Sequence, residues 1–339
     1  MSRPPEDQAP LVLRSRVGAT GAGQPLLAWL AARFPYLTAA AWRAEVERHR
    51  IAVDGHAATT DTVLRAGNEV AWTKIAVEPY ADLAVAVLHA DGDLVVADKP
   101  AHLPMHADGP FVRATLVHVL RQRPGFAQAA LVHRLDRETS GLCVLALTAR
   151  ARTGLAAQFA AGEVAKAYHA VVRGHVAGDI VVDAPIGHAR ASMIQLRRAC
   201  GAAAVAAAPA RTRFVVLERG PAATLLRCEP TTGRAHQIRV HAEHLGHPLL
   251  GDKLYGRPDA DYLAFVTRVK ASGDAREVAA GEPDRHLLHA SALAFRHPGT
   301  GAALAFESPP PASFRDWLLR EPPGAGGSQS PDAAGSMPA

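Results

Sequence analysis

The chain has 339 residues, enough for one large or two modest domains, and its 48% apolar and 20% charged residues supply a core and exclude a disordered polymer. A net charge of +5 admits a polyanionic partner without requiring one. Three cysteines far apart, Cys143, Cys200 and Cys228, exclude a disulfide framework, and no apolar run reaches the length of a membrane span.

Residues 1–22 are polar and rich in Gly and Pro, and read as a disordered tail. A small α+β domain is expected over residues 23–76. Its first helix carries Leu26, Leu27 and Leu30, and a second is expected from Thr38 to His49. Ile51-Ala52-Val53 then meets an Asp54-Gly55 hairpin turn.

A larger domain is expected over residues 81–320. It opens with strand-like runs from Val85 to Leu88 and from Leu94 to Ala97. Helices are expected from Ala114 to Arg121, from Ala149 to Ala161 and after Gly233, among many short strands. Regular βαβ alternation is missing, so the expected class is α+β with a mixed or antiparallel central sheet. The Ala-rich stretch from Ala199 to Ala210 reads as a surface loop insertion. Residues 321–339 read as a second disordered tail. The N-terminus has no apolar signal core, so a reduced, cytoplasmic setting with no membrane partner is the expectation.

Two segments carry chemistry. In His133-Arg134-Leu135-Asp136-Arg137-Glu138-Thr139-Ser140-Gly141 one carboxylate sits between two arginines, just before an apolar run. An acid held between fixed cations stays ionised at neutral pH, so Asp136 reads as a nucleophile or charge stabiliser. By itself the segment reads first as a solvated turn with local ion pairs, and the second segment is what overturns that. About a hundred residues on, Thr232-Gly233-Arg234-Ala235-His236-Gln237-Ile238-Arg239-Val240-His241 turns at Gly233 into a helix, with Arg234 and Arg239 near its start. Positive charge there suits a phosphate or a carboxylate.

Other chemistries fit poorly. His236, His241, His244 and His247 lack a HExxH pattern and acidic or cysteine partners at ligand spacing, so no metal is expected. Ser140 lacks the first glycine of a Gly-x-Ser-x-Gly elbow. Gly18, Gly21 and Gly23 do not follow a strand and form no dinucleotide fingerprint.

The two segments together resemble the RluA family of RNA pseudouridine synthases, which carry a His-Arg-Leu-Asp-x-x-Thr-Ser-Gly loop and a Gly-Arg-x-His-Gln-Ile-Arg segment in this order. Lys166-Ala167-Tyr168 and His286-Leu287-Leu288-His289-Ala290 supply two further matches. The likeness covers residues 81–320, with a looser likeness of residues 23–76 to a small S4 RNA-binding domain. Two departures stand out: Ala235 where Thr is common, and His102 where Gly is usual.

The resemblance implies a pseudouridine synthase fold and an isomerase that turns uridine in RNA into pseudouridine, with no cofactor. Asp136 is then the catalytic carboxylate, Tyr168 stacks on the uracil, and Arg239 pairs with Asp136. Arg134 fills the gap left by the extruded base, unless it only pairs locally. His133, Arg137, Lys166, Arg234, His236 and Gln237 are the expected RNA contacts of the large domain, and Arg43, Arg48 and Arg50 those of the small one. Ribosomal RNA is favoured over transfer RNA, and a monomer is expected. A catalytically silent RNA-binding or ribosome-assembly protein on the same scaffold is the alternative.

Overall fold

The computed structural model describes residues 11–35, 37–74, 78–274, 276, 278 and 281–321. The chain divides into two compact units, Met1–Val77 and Glu78–Ala339. Most of the tail expected at residues 321–339, and residues 1–10 of the tail expected at 1–22, lie outside the described residues. No helix among the described residues is long and apolar enough to cross a membrane.

The small unit holds β1 (Leu11–Arg16), α1 (Leu26–Arg33), α2 (Ala39–Glu47), β2 (Ile51–Val53), β3 (His56–Ala57) and β4 (Glu69–Lys74). Its antiparallel sheet runs β1-β4-β2-β3. Leu26, Trp29, Leu30, Trp42, Leu64 and Trp72 form its core. The Thr38 side chain accepts the Ala41 amide and starts α2. Asp54 and Gly55 both have positive φ, +49° and +81°, as a two-residue hairpin turn requires.

One expectation is corrected here. Residues 11–16 fell in the expected tail, yet they pair with β4 along their whole length, from Leu11 opposite Lys74 to Arg16 opposite Glu69. Val12 and Leu13 are both more than 40% exposed, so main-chain hydrogen bonds hold this strand rather than a buried face. Composition does not register that kind of support.

The large unit continues with β5 (Ala86–Ala90), β6 (Leu94–Lys99), α3 (Leu116–Arg121), β7 (Ala130–Leu131), β8 (Ser140–Ala146), α4 (Ala149–Ala161) and β9 (Ala165–Arg173). Next come β10 (Ile180–Asp183), β11 (Ile186–Ala189), β12 (Arg198–Cys200), β13 (Ala204–Ala208), β14 (Arg211–Arg219) and β15 (Ala223–Pro230). It closes with α5 (Gln237–His244), α6 (Asp259–Ser272), β16 (Leu288–Arg296), β17 (Ala303–Glu307) and α7 (Ser313–Leu318).

A ten-stranded sheet runs β10-β14-β15-β9-β16-β8-β6-β5, with β17 on β16 and β7 on β8. Among the described strands β16 and β8 are the pair that runs parallel, so the sheet is mixed. The alternation of β6 and β8 sends Val95, Ala97, Cys143 and Leu145 to one core and Leu94, Val96, Leu142 and Val144 to another. The run from Ala199 to Ala210, expected to be a surface loop, instead builds β12 and β13 on either side of β11. Alanine has low strand propensity, so main-chain pairing decides its conformation. Gly187 lets the strands close, since a Cβ there would stand 2.2 Å from the Val205 carbonyl oxygen.

Two details hold the loop between β7 and β8, which carries Asp136, and a third concerns the turn after β6. Gly141 has φ +105° where β8 meets β16, and a Cβ there would lie 2.3 Å from the Ala290 carbonyl oxygen. Lys99, fully buried at the end of β6, donates from Nζ to the carbonyls of Pro100 and Leu103 at 2.9 Å and of Arg137 at 3.1 Å. His102, which stands where glycine is usual, has φ +62°, the conformation that favours glycine.

Lys99→Met should leave three carbonyl groups without their donor. Urea unfolding should register a loss on the order of 3 kcal/mol or more. A change under about 1 kcal/mol would remove Lys99 as the loop's anchor.

Candidate active site

A cavity of about 590 Å³ opens beside the β7–β8 loop, lined among others by Arg134, Asp136, Lys166, Tyr168, His236 and Arg239. Its floor is an ion chain. Arg239 lies in the first turn of α5 and is 8% exposed. Its Nε and Nη2 donate to the two carboxylate oxygens of Asp252 at 2.7 and 2.9 Å. Its Nη1 is left for Asp136 Oδ2, at 2.8 Å. The fork of a guanidinium suits one carboxylate, and the third group serves a second. Asp252 is itself fixed by the amides of Leu254 and Tyr255.

Burial by itself raises the pKa of Asp136. The neighbouring charges, with the Arg239 hydrogen bond, more than offset it, and Asp136 is held below the ordinary carboxylate value. His236 is driven down to about 4, first by burial, and is uncharged at neutral pH. Arg239 is therefore the cation that keeps Asp136 ionised. Tyr168 stands on β9, and burial followed by the Asp136 charge raises its pKa, so it stays protonated. Lys166 Nζ lies 5.8 Å from the centre of the Phe159 ring and 3.4 Å from the Thr232 carbonyl oxygen. Arg134 is exposed at the cavity.

Several expected RNA contacts have internal work instead. His133 stacks on Phe159 at 4.5 Å, and its Nε2 accepts the Val144 amide at 3.1 Å. Burial takes its pKa down to about 3, so it is a neutral acceptor. Arg137 is directed to Glu138 at 3.2 Å and to the Phe111 ring, and does not line the cavity. The chain turns at Asp136, whose carbonyl accepts the Thr139 amide, and this carries Arg137 away. The expectation that flanking arginines hold Asp136 is thus corrected for Arg137.

Gln237 is 5% exposed, and both ends of its amide are engaged. Its oxygen accepts from Thr232 Oγ1 and the Arg234 amide, and its nitrogen donates to the Arg211 carbonyl and Thr212 Oγ1. It shapes the turn into α5 rather than facing RNA. Arg234 is exposed at the rim, with Nε on the Pro209 carbonyl. In the small unit Arg43 is exposed, while Arg48 and Arg50 both bond Glu45 Oε1 at 3.1 Å.

Asp252 and Tyr255 lie beyond the second segment and carry no role in the expectations drawn from sequence. Their signal was an acid 13 residues beyond Arg239. The His286 run braces the other side of the loop: the His286 amide donates to Glu138 at 2.9 Å and its Nε2 lies 2.8 Å from Thr139 Oγ1. Among the described residues no group of three His, Cys, Asp or Glu is disposed to hold a metal.

The family model described as RNA pseudouridylate synthase matches residues 93–244. The chain is 39% identical over 235 residues to ribosomal large subunit pseudouridine synthase D of Nitrosomonas europaea, covering 68% of this chain and 63% of that one. Against the protein of the same name from Pseudomonas aeruginosa the figures are 38%, 70% and 72%. Against that of Xanthomonas campestris they are 34%, 89% and 91%. The chain belongs to the RluA-type family of RNA pseudouridine synthases, which are isomerases. The solved structure of human RNA pseudouridylate synthase domain containing 1 overlays with a TM-score of 0.54 at 27% identity, covering 69% of this chain and 86% of that one. Human RNA pseudouridylate synthase domain containing 4 gives 0.51 at 26%, covering 69% and 91%. The fold is that of the pseudouridine synthases.

Two outcomes test the ion chain. In a carboxyl-carbon NMR titration Asp136, assigned with Asp136→Asn, should titrate below about 3.9, the ordinary aspartate value. Because its folded pKa is depressed, its contribution to stability is present above that value and is lost as pH falls through the folded pKa. Asp252→Asn should destabilise the fold by about 3 kcal/mol, since a buried cation loses one of its carboxylates; urea unfolding measures it.

Proposed function

We propose that the protein isomerises specific uridines of ribosomal RNA to pseudouridine, with Asp136 acting at the sugar carbon C1′ of an extruded uridine. The observation that carries this reading is the 2.8 Å bond from Arg239 to Asp136, inside a cavity shared with Tyr168. The N1–C1′ bond breaks, the uracil turns, C5 bonds to C1′, the C5 proton leaves and N1 gains one. The reaction is redox-neutral and needs no cofactor.

Breaking the glycosidic bond develops positive charge at C1′. A carboxylate kept ionised next to it stabilises that charge or bonds to it. The base must first leave its stack, at a cost of a few kcal/mol. Arg134, exposed at the cavity, is the group to fill the gap. Tyr168 offers its ring face to the uracil. Lys166 and Arg234 meet phosphate at the rim. The cavity lies in the 300–1,000 Å³ range of small-ligand sites, room for one base and its sugar.

Ribosomal RNA is favoured over transfer RNA because the relatives carry ribosomal large subunit in their names. The small unit is read as an S4-like RNA-binding domain, with Arg43 and Arg48 exposed to phosphate and Arg50 less so. The protein works in the cytoplasm as a monomer.

On a transcript of large-subunit ribosomal RNA, Asp136→Asn should lower pseudouridine formation about a thousandfold while leaving RNA affinity within about threefold. Substantial turnover would remove Asp136 from this role. Tyr168→Phe should be milder than Tyr168→Ala; equal losses would shift the weight to the hydroxyl. Affinity should fall steeply as salt rises, and a flat response would argue against RNA. Mapping pseudouridines in RNA from a strain lacking the gene identifies the target.

A further inference from the structure

We propose that His236 is a hydrogen-bond donor to the uracil, giving its Nε2 proton to O2 of the uridine and, once the ring has turned, to O4 of the pseudouridine. This rests on the reading of Asp136 given above and adds a second group to it.

The argument starts from a backbone amide. Arg198 N–H can only donate, and it donates to the Tyr255 hydroxyl at 3.1 Å. The hydroxyl is buried, and burial raises its pKa, so it keeps its proton. Among the described residues the acceptor within reach of that proton is His236 Nδ1, at 2.7 Å. An unpaired buried hydroxyl proton costs about 1–3 kcal/mol. Nδ1 therefore accepts, and in the neutral imidazole the proton lies on Nε2.

Nε2 faces Asp136 Oδ1 across 3.9 Å, beyond hydrogen-bond distance. Both groups line the cavity. Among the described residues no acceptor stands within hydrogen-bond distance of Nε2, so its proton is directed to whatever occupies the cavity. The backbone is shaped for this: His236 has φ +59° at the residue capping α5. Histidine enters that left-handed conformation more readily than most residues, so the cap holds the ring without needing a glycine.

The chemistry of uracil supplies the acceptor. With C1′ at Asp136, the oxygen nearest the breaking bond is O2, which flanks N1. Negative charge builds on N1, O2 and O4 as the bond opens. A half-turn about the N3–C6 line exchanges N1 with C5 and also O2 with O4. One fixed donor beside Asp136 therefore meets a carbonyl oxygen both before and after the turn, and it stabilises the charge between them.

The test uses the full chain on transcripts of large-subunit ribosomal RNA made with uridine or with 2-thiouridine, whose sulfur is a poor acceptor. His236→Ala should lower kcat about a hundredfold with KM changed less than about threefold. His236→Gln, which restores an N–H near the Nε2 position, should recover part of the loss. Tyr255→Phe, which removes only the oxygen that fixes the tautomer, should lower kcat by a smaller factor. Sulfur should slow the wild type about tenfold more than it slows His236→Ala. If His236→Ala is slow but keeps the full sulfur effect, the residue only supports Asp136 and the proposal is overturned. It is also overturned if kcat of His236→Ala stays within about twofold of the wild type while Asp136→Asn is inactive, which leaves the parent reading intact. If the wild type makes no pseudouridine, both fall together.

Discussion

One guanidinium holds the centre of this protein. Arg239 gives its fork to Asp252 and its remaining nitrogen to Asp136. Two carboxylates and one cation lie together in a largely buried place, where desolvation is expensive unless each charge has good partners. Asp252 satisfies its own oxygens with two backbone amides as well as the fork. That leaves Asp136 as the member with an oxygen open to the cavity. The arrangement closes one acid in and leaves the other facing the cavity, although both are aspartates on the same arginine.

The loop bearing Asp136 is fixed from behind by groups that never reach the cavity. Lys99 gathers three carbonyls, one of them from Arg137. Glu138 takes the His286 amide and the Lys253 ammonium, at 2.9 and 3.2 Å. Thr139 meets the His286 ring, and Gly141 allows β8 to lie against Ala290. Each bond answers a polar group that the loop would otherwise bury unpaired. The same saturation explains why Gln237, a polar residue of the second motif, has nothing left to offer a nucleic acid.

What remains for a polyanion at the cavity is sparse and sits at its rim: Arg134, Lys166 and Arg234. With a net charge of only +5 over the chain, affinity for RNA has to come from where these cations stand more than from their number. His236 differs from them. It is uncharged at neutral pH, directed into the cavity and tied at its far side to Tyr255, which suits a base better than a phosphate.

The family was legible in the sequence because it depends on residue types in short, ordered strings. Asp136, Arg134, Tyr168 and Arg239 could be named from their motifs, and the helices over Ala149–Ala161 and after Gly233 from periodicity and turn residues. Continuous apolar runs also marked the buried strands β6 and β8. Three things were not legible. Main-chain pairing made strands of Leu11–Arg16 and of the alanine stretch around β12 and β13, and backbone hydrogen bonds leave no trace in composition. A turn at Asp136 sent the neighbouring Arg137 away from the carboxylate and left the pairing to Arg239, as the motifs implied. The duties of Asp252 and Tyr255 exist only where α5 folds against the segment that follows it. Sequence determined which groups the protein possesses; the tertiary fold decided which face a ligand, because direction in space is set by packing between segments far apart in the chain.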